Sequence, residues 1–289
     1  MPNLIYPASA SIQNSLSLAA DNLSAVSDSA LLDAEVLLSY CLHKTRSFLR
    51  AWPDKSLSAE QLESFWNLVQ KRQQGQPIAY LTGEREFWSR SFTVSPDVLI
   101  PRPDSELLIE ISLNLLNLQQ IGNILDLGTG SGILGITLAA ERPLAKVIAT
   151  DISPVALQVA QANAKQLGVS NVQFLQSNWF EAIAETTFDL IISNPPYIPA
   201  DDPHLQQGDV RFEPQTALVS ADNGLKDIGI LVAQARNHLI PGGHLLIEHG
   251  YNQQSAVQDI FNAFNYQQVA THHDLSGNPR VTSGVWNPT

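Results

Sequence analysis

Asn194-Pro195-Pro196-Tyr197 is the stretch whose residue types are best suited to chemistry. It brings together an amide side chain, backbone carbonyls and an aromatic ring, a set suited to holding a flat polar group such as an amide or an amino-substituted base. The apolar run Phe188-Asp189-Leu190-Ile191-Ile192-Ser193 precedes it and reads as a buried parallel strand. The two prolines stop that strand, because neither can donate to a ladder and each restricts the residue before it. The strand therefore ends in a stiff polar tip, although Asn-Pro-Pro is also ordinary turn chemistry.

A second cluster, Asp126-Leu127-Gly128-Thr129-Gly130-Ser131-Gly132, follows another short apolar strand and opens a helix at Ile133. Glycine there lets the backbone turn sharply and come close to a ligand with no Cβ in the way. Gly130-Ser131-Gly132-Ile133-Leu134-Gly135 satisfies the pattern G-x-G-x-x-G, so a nicotinamide or flavin cofactor is one reading. Asp151 stands 19 residues past Gly132, at the end of the next strand. There it can accept hydrogen bonds from both hydroxyls of a ribose, or cap a helix starting at Pro154. The first alternative means a nucleoside ligand without choosing which one.

These residues need a frame that brings strand ends together. From about Asp104 onward, candidate strands at Asn123–Leu127, Lys146–Thr150, Val172–Leu175, Phe188–Ser193, His244–Glu248, Gln267–Thr271 and Val281–Trp286 alternate with helical patterns. The helices fall at Ile133–Arg142, Val155–Leu167, Leu225–Leu239 and Gln254–Phe264. Such alternation predicts an α/β fold, a doubly wound and mostly parallel sheet whose ligands bind at the carboxyl ends of the strands near the topological switch point. Residues 11–72 instead carry helical spacing throughout, as in Leu16, Ala19, Ala20 and Leu23, then Leu31, Ala34, Leu38 and Leu42, then Leu62, Phe65, Trp66 and Val69. Ser58 and Gln61 form a candidate capping box for the last of these helices. Between the two textures, Glu86–Val94 reads as a hairpin bounded by Pro96, Pro101 and Pro103. The expected organisation is a helical bundle over 1–75, a hairpin linker over 76–103 and the α/β domain over 104–289.

The composition narrows the function. Hydrophobic residues make up 44% of the 289, and no apolar run approaches the roughly 20 residues that span a bilayer. Met1-Pro2-Asn3-Leu4-Ile5-Tyr6-Pro7 lacks a basic segment ahead of an apolar one, so no membrane partner and a cytoplasmic location are expected. Cys41 is the single cysteine, which excludes an intrachain disulfide. His204, His244, His249, His272 and His273 show no ligand spacing tied to the site, and no metal is expected. The formal charge is −12, with 10 acidic and 8 basic side chains in residues 1–100 against 18 and 8 in the remainder. A protein that grips duplex nucleic acid by its phosphates usually has the opposite sign, so no duplex partner is expected.

Taken together, Asp126-x-Gly128-x-Gly130-x-Gly132, Asp151 and Asn194-Pro195-Pro196-Tyr197 resemble a class I S-adenosylmethionine-dependent methyltransferase that acts on planar nitrogens. Ile100-Pro101-Arg102-Pro103-Asp104-Ser105-Glu106, Gln176-Ser177-Asn178-Trp179-Phe180 and Gly208–Leu218 narrow the resemblance to the release-factor glutamine methyltransferase family. Asp33-Ala34-Glu35 and Tyr80–Phe87 match it too, so the similarity covers nearly the whole chain. The resemblance implies a Rossmann-like seven-stranded sheet, S-adenosyl-L-methionine as cofactor, and methylation of the glutamine in the Gly-Gly-Gln motif of class 1 peptide chain release factors. It also implies that Gly128, Thr129, Gly130, Ser131 and Gly132 line the methionine part of the cofactor, with Asp151 on the ribose and Trp179 beside the adenine. Asn194, Pro195, Pro196 and Tyr197 would hold the substrate glutamine, with Asn194 also touching the cofactor and Asn194, Pro195 and Tyr197 forming the catalytic set. Asn178 departs from the family, which commonly has an acidic residue there to accept from the adenine amino group; an Asn oxygen accepts without charge assistance. Arg102, Arg211 and Glu213 are open to two readings, a structural ion-pair set or substrate contacts. The competing activities are an N6-adenine DNA methyltransferase, a non-catalytic cofactor-binding adaptor and a nicotinamide oxidoreductase.

Overall fold

The structure, a computed structural model, describes residues 10–116 and 122–288, so the reading of Met1–Pro7 lies outside the described residues. The described chain forms two compact units. One comprises the described residues through Gly83 together with Gln207–Phe212; the other comprises Glu84–Gln206 and the described residues from Glu213 onward.

In the first unit, the three apolar stripes become α1 (Ile12–Leu23), α2 (Ala30–Leu42) and α4 (Ala59–Gln73), joined by the short α3 (Arg46–Ala51) and followed by α5 (Ile78–Thr82). Ile12, Leu23, Leu38, Phe65 and Trp66 meet in its core. Both halves of the capping box form, Gln61 N to Ser58 Oγ at 3.2 Å and Ser58 N to Gln61 Oε1 at 2.9 Å. The two buried carboxylates of α2 are paired rather than free. Glu35 takes Arg46 Nε at 2.7 Å, and Asp33 takes Arg72 Nε at 2.8 Å. Arg72 also holds Asp209 at 3.1 Å, which ties Gln207–Phe212 to this unit.

The second unit opens with a hairpin, β1 (Glu84–Phe87) and β2 (Arg90–Thr93), whose two-residue turn places Trp88 and Ser89 at positive φ. Such a turn matches the twist of paired strands. The stretch expected as a linker is therefore divided, α5 lying in the first unit and the hairpin in the second. The physical reason is burial. Phe87 and Phe92 sit 6.3 Å apart edge-to-face in the second unit's core, and Asn163 pairs the edge of β2 through Thr93 N at 2.7 Å and Thr93 O at 3.0 Å.

The sheet comprises β3 (Asn123–Leu127), β4 (Lys146–Asp151), β5 (Val172–Gln176), β6 (Phe188–Ser193), β7 (Leu239–Glu248), β8 (Gln267–His273) and β9 (Pro279–Trp286), in the order β5-β4-β3-β6-β7-β9-β8. This is the doubly wound, mostly parallel seven-stranded sheet expected, with β9 antiparallel to both neighbours. Its helices are α6 (Glu106–Leu115), α7 (Ile133–Glu141), α8 (Pro154–Gln166), the single irregular turn α9 (Ala221–Gly224), α10 (Lys226–Ala235) and α11 (Gln254–Ala263). Successive strand residues alternate between faces. Ile124, Leu190, Ile192 and Leu246 pack with Leu108, Ile136 and the hairpin phenylalanines, while Leu125, Ile191, Leu245 and Ile247 pack with Leu231, Val232 and Phe261. Each such side chain contributes about 1.5–3 kcal/mol on burial.

Two elements differ from expectation. Helix α6 was not anticipated, because its run Leu107-Leu108-Ile109 and Ile111 carries apolar residues on several faces. The helix expected through Leu239 ends at Ala235, and Leu239 already pairs with Phe188 in β7 ahead of a bulge. No described helix is long and apolar enough to cross a membrane.

Candidate active site

The order of strands reverses at β3, which pairs β4 on one side and β6 on the other. The carboxyl ends of these strands carry the glycine loop, Asp151 and the Asn-Pro-Pro-Tyr tip, so the switch point brings together residues as far apart in the chain as Gly128 and Asn194.

The glycine loop is held from both flanks. Gly128 N and Thr129 N donate to Thr150 O at 2.9 and 2.8 Å, which fastens the loop to β4. Asp126 Oδ2 accepts Thr129 Oγ1 at 2.6 Å and Gly135 N at 2.9 Å, which fastens it to α7. Asp126 is wholly buried, and burial pushes its pKa up to about 6 against those two hydrogen bonds. Gly132 has φ +88°, and a Cβ there would lie 2.5 Å from Ile136 Cδ1. Gly130 has φ +56° and nothing within 4 Å of where a Cβ would stand, so its open side is space rather than protein.

Asp151 ends β4 with both oxygens engaged by backbone, Oδ2 by Gly130 N and Oδ1 by Ser153 N, each at 2.9 Å. Burial raises its pKa, and the amides of Ser153, Gly130 and Ile152 hold it down. A carboxylate has about four lone-pair sites, so these amides do not exhaust it. Helix capping falls to Ser153, whose Oγ accepts Ala156 N at 3.2 Å, so Asp151 is not spent on α8.

Trp179 adopts φ +50°, and its ring lies 3.4 Å from the position a Cβ on Gly128 would take. Its Nε1 donates to Asp227 Oδ1 at 3.3 Å, and Asp227 Oδ2 accepts Ser220 Oγ at 2.5 Å. Asn178 Nδ2 donates to Glu181 Oε1 at 2.7 Å, which leaves Asn178 Oδ1 as an acceptor.

At the tip, Ser193 Oγ donates to Leu127 O at 2.7 Å, locking β6 to β3 just ahead of Asn194. Asn194 Nδ2 donates to Ser105 Oγ at 3.1 Å, and no described residue takes Asn194 Oδ1. Tyr197 O accepts Gln253 Nε2 at 2.9 Å, and a Cβ on Gly224 would stand 2.0 Å from that same carbonyl. Burial, then the nearby Glu248 charge, pushes the Tyr197 pKa up, so its hydroxyl stays protonated.

A cavity of about 550 Å³ is lined by Gly128, Gly130, Asp151, Trp179, Asn194 and Pro196 together. The other expected site residues lie outside its lining. Thr129 spends its hydroxyl on Asp126, Ser131 is 2% exposed with its carbonyl taken by Asn163 Nδ2 at 2.9 Å, Gly132 starts α7, Pro195 is buried, and Tyr197 packs into the core. Val98, Leu99, Asn178, Thr216 and Asp227 are among the other residues of the wall. Thr216 belongs to a motif that the resemblance had singled out, whereas Asp227 gives no signal in the sequence. The three undecided charges separate: Arg102 and Glu213 form an ion pair, with Glu213 Oε2 also accepting Ile100 N at 3.1 Å, while Arg211 donates to Gln74 O at 3.3 Å within the first unit. An open glycine cradle beside a carboxylate with unused lone pairs fits a nucleoside-bearing cofactor.

The profile of a family described as a methyltransferase domain matches residues 119–283, and that of the PrmC N-terminal domain matches residues 15–83. The release factor glutamine methyltransferase of Shewanella oneidensis is 48% identical over 95% of this chain and 96% of its own. That of Escherichia coli (strain K12) is 49% identical over 89% of this chain and 93% of its own. Among solved structures, a methyltransferase from Pyrococcus furiosus is similar with a TM-score of 0.54 at 19% identity, covering 77% of this chain and 99% of that one, which concerns the fold alone.

Proposed function

The chain belongs to the release factor glutamine methyltransferase family, and from that premise we propose that it transfers a methyl group from S-adenosyl-L-methionine to the side-chain amide nitrogen of the Gly-Gly-Gln glutamine in class 1 peptide chain release factors. The observation that carries this reading is the lining of one cavity by Asp151, the glycine loop and Asn194.

Gly128 and Gly130 cradle the methionine portion of the cofactor, Asp151 accepts from the ribose, and Trp179 flanks the adenine. Asn178 Oδ1, left free by the bond from its Nδ2 to Glu181, serves the adenine amino group. When bound, the cofactor supplies an electrophilic methyl group on a sulfonium. The chain's own residues must overcome the weak nucleophilicity of an amide nitrogen, whose lone pair is delocalised into its carbonyl. Asn194 Oδ1 and the Pro195 carbonyl each accept one amide N–H, which aims the nitrogen and stabilises positive charge as it develops there. Alignment of this kind can supply about 7–11 kcal/mol of barrier reduction. Tyr197, packed into the core outside the cavity lining, backs the tip, and its raised pKa keeps its phenol neutral. We assign recognition of the protein partner to the N-terminal helical unit, where the buried carboxylates are consumed in ion pairs, and we place the reaction in the cytoplasm.

Mass spectrometry of a release factor incubated with the full chain and S-adenosylmethionine tests the reading. One added methyl on the Gly-Gly-Gln glutamine is expected, with none on a Gln→Ala release factor. Equal labelling of that variant, or methylation of adenine in duplex DNA, overturns it.

A further inference from the structure

The Asn-Pro-Pro-Tyr tip is pinned at its two ends by side chains that do not line the cavity. Ser193 Oγ, bonded to Leu127 O, holds its start. Its far end is held by Gln253, which immediately precedes α11 and is 8% exposed. Gln253 uses its whole amide. Oε1 accepts Gly250 N at 2.8 Å, while Nε2 donates one proton to Tyr197 O at 2.9 Å and the other to Asn223 O at 3.1 Å. The reverse orientation would set an oxygen against two carbonyls and an amino group against an N–H, so the surroundings fix which way the amide faces.

The backbone beside this amide is shaped to admit it. Asp222, Asn223 and Gly224 take φ of +55°, +56° and +81° in succession. Left-handed backbone is unfavourable for residues with a Cβ and persists where the surroundings require it. Here the Asn223 carbonyl meets Gln253, and at Gly224 a Cβ would be driven into Tyr197 O and against Gln253 Nε2. A glutamine kept only to start α11 would need none of this. Gln253 stands at the N-cap of that helix, yet its side chain gives the helix no capping bond and is directed at the tip instead.

Ring closure locks φ at Pro195 and Pro196. With the strand fixed at Ser193 and the chain fixed at Tyr197 O, the span between them sets the direction of the Pro195 carbonyl and of the Asn194 side chain, the two groups assigned above to the acceptor amide. Beyond the tip, Ile198 N donates to Leu218 O at 2.9 Å and Ser220 N to Ile198 O at 3.0 Å, which continues the bracing. We propose that Gln253 is a positioning residue for methyl transfer, holding the Asn-Pro-Pro-Tyr tip in place through the Tyr197 carbonyl and the left-handed turn at Asp222, Asn223 and Gly224. The inference rests on the glutamine-methylating reading above.

The test compares the full chain with Gln253→Met, which keeps the length and removes every side-chain hydrogen bond, and with Gln253→Glu, which keeps only the acceptor. Titration with S-adenosylhomocysteine gives Kd and the concentration of folded sites, and kcat and KM on a release factor are then expressed per site. For Gln253→Met, kcat per site is expected to fall about 10- to 100-fold, the scale of a small misplacement of a reacting group, with Kd and KM within about twofold of wild type. Gln253→Glu should be as slow at about pH 9, where an ionised carboxylate has no proton for either carbonyl. Burial raises the pKa of such a carboxyl, and its protonated form can donate to one carbonyl, so kcat relative to wild type should rise several-fold by about pH 6.5. A Gln253→Met enzyme that turns over within about twofold of wild type overturns the positioning role alone. So does a Kd that worsens in step with kcat, or a flat ratio for Gln253→Glu across that pH range, since a merely structural glutamine gives either. Failure of both variants to fold overturns it as well, because the residue then serves stability rather than the tip. A wild-type chain that labels no release factor overturns the functional reading and the positioning role with it.

Discussion

At the ends of β3 and β4, Asp151 has both oxygens held by backbone amides of Gly130 and Ser153; at the ends of β6 and β7, Glu248 has one long contact from a phenol and one oxygen without a described partner. The first arrangement draws on residues within about one βα unit, whereas the second pairs Ser105 with Asn194 and Tyr197 with Glu248 from distant parts of the chain. Backbone amides have few ways to move once the strands pair, so this part of the rim, which we propose as the cofactor half, is preorganised by the fold itself. The other part, which we propose as the acceptor half, relies on rotatable side chains, with Asn194 held by Ser105. Affinity for cofactor and speed of transfer should therefore be separable by mutation.

The largest effect is expected for Asn194→Ala, which removes the proposed acceptor of the substrate amide while leaving the Asp126 and Thr150 anchors of the glycine loop intact. A fall in kcat of roughly 10²–10³ follows from losing one preorganised polar contact in a transition state. Titration with S-adenosylhomocysteine should change far less; a Kd that worsens in step with kcat would show the two halves to be one. Asp151→Ala comes next and acts in the opposite sense. It removes the proposed ribose acceptor and the bond from Gly130 N, charged-group hydrogen bonds worth about 1.5–3 kcal/mol each before relaxation. Calorimetry should show a markedly weaker Kd, and an affinity within about a factor of two of wild type would remove Asp151 from the cofactor half. The smallest effect belongs to Asp227→Ala, which frees the Trp179 indole from its partner at 3.3 Å and leaves the ring packed against the loop. A loss of about 0.5–1.5 kcal/mol in cofactor binding is expected, the scale of one ordinary hydrogen bond, with kcat at saturating cofactor unchanged. A larger effect on kcat than on Kd would move Trp179 to the acceptor half.

The same contrast separates what local residue patterns decide from what tertiary packing decides. The strands Asn123–Leu127 and Phe188–Ser193 were legible to the residue, because short apolar runs bounded by glycines or prolines leave few alternatives. The loop and its acid were legible for a related reason: Gly128, Gly130 and Gly132 do need positive φ, and Asp151 reaches Gly130 across adjacent strands. Helix α6 was missed because its apolar residues surround it, and the hairpin's place was misjudged because only the burial of Phe87 and Phe92 assigns it to a core. Arg102 with Glu213, Asn163 with Thr93, Asp227 with Trp179 and Ser105 with Asn194 are separated by dozens of residues. Nothing in their spacing marks them as pairs, since a hydrogen bond between distant side chains depends on where sheet order and helix packing deliver them. The glycines, the acid and the Asn-Pro-Pro-Tyr tip that gather at the strand ends were thus written in short motifs, while their orientation was set by partners that only the folded sheet brings within reach.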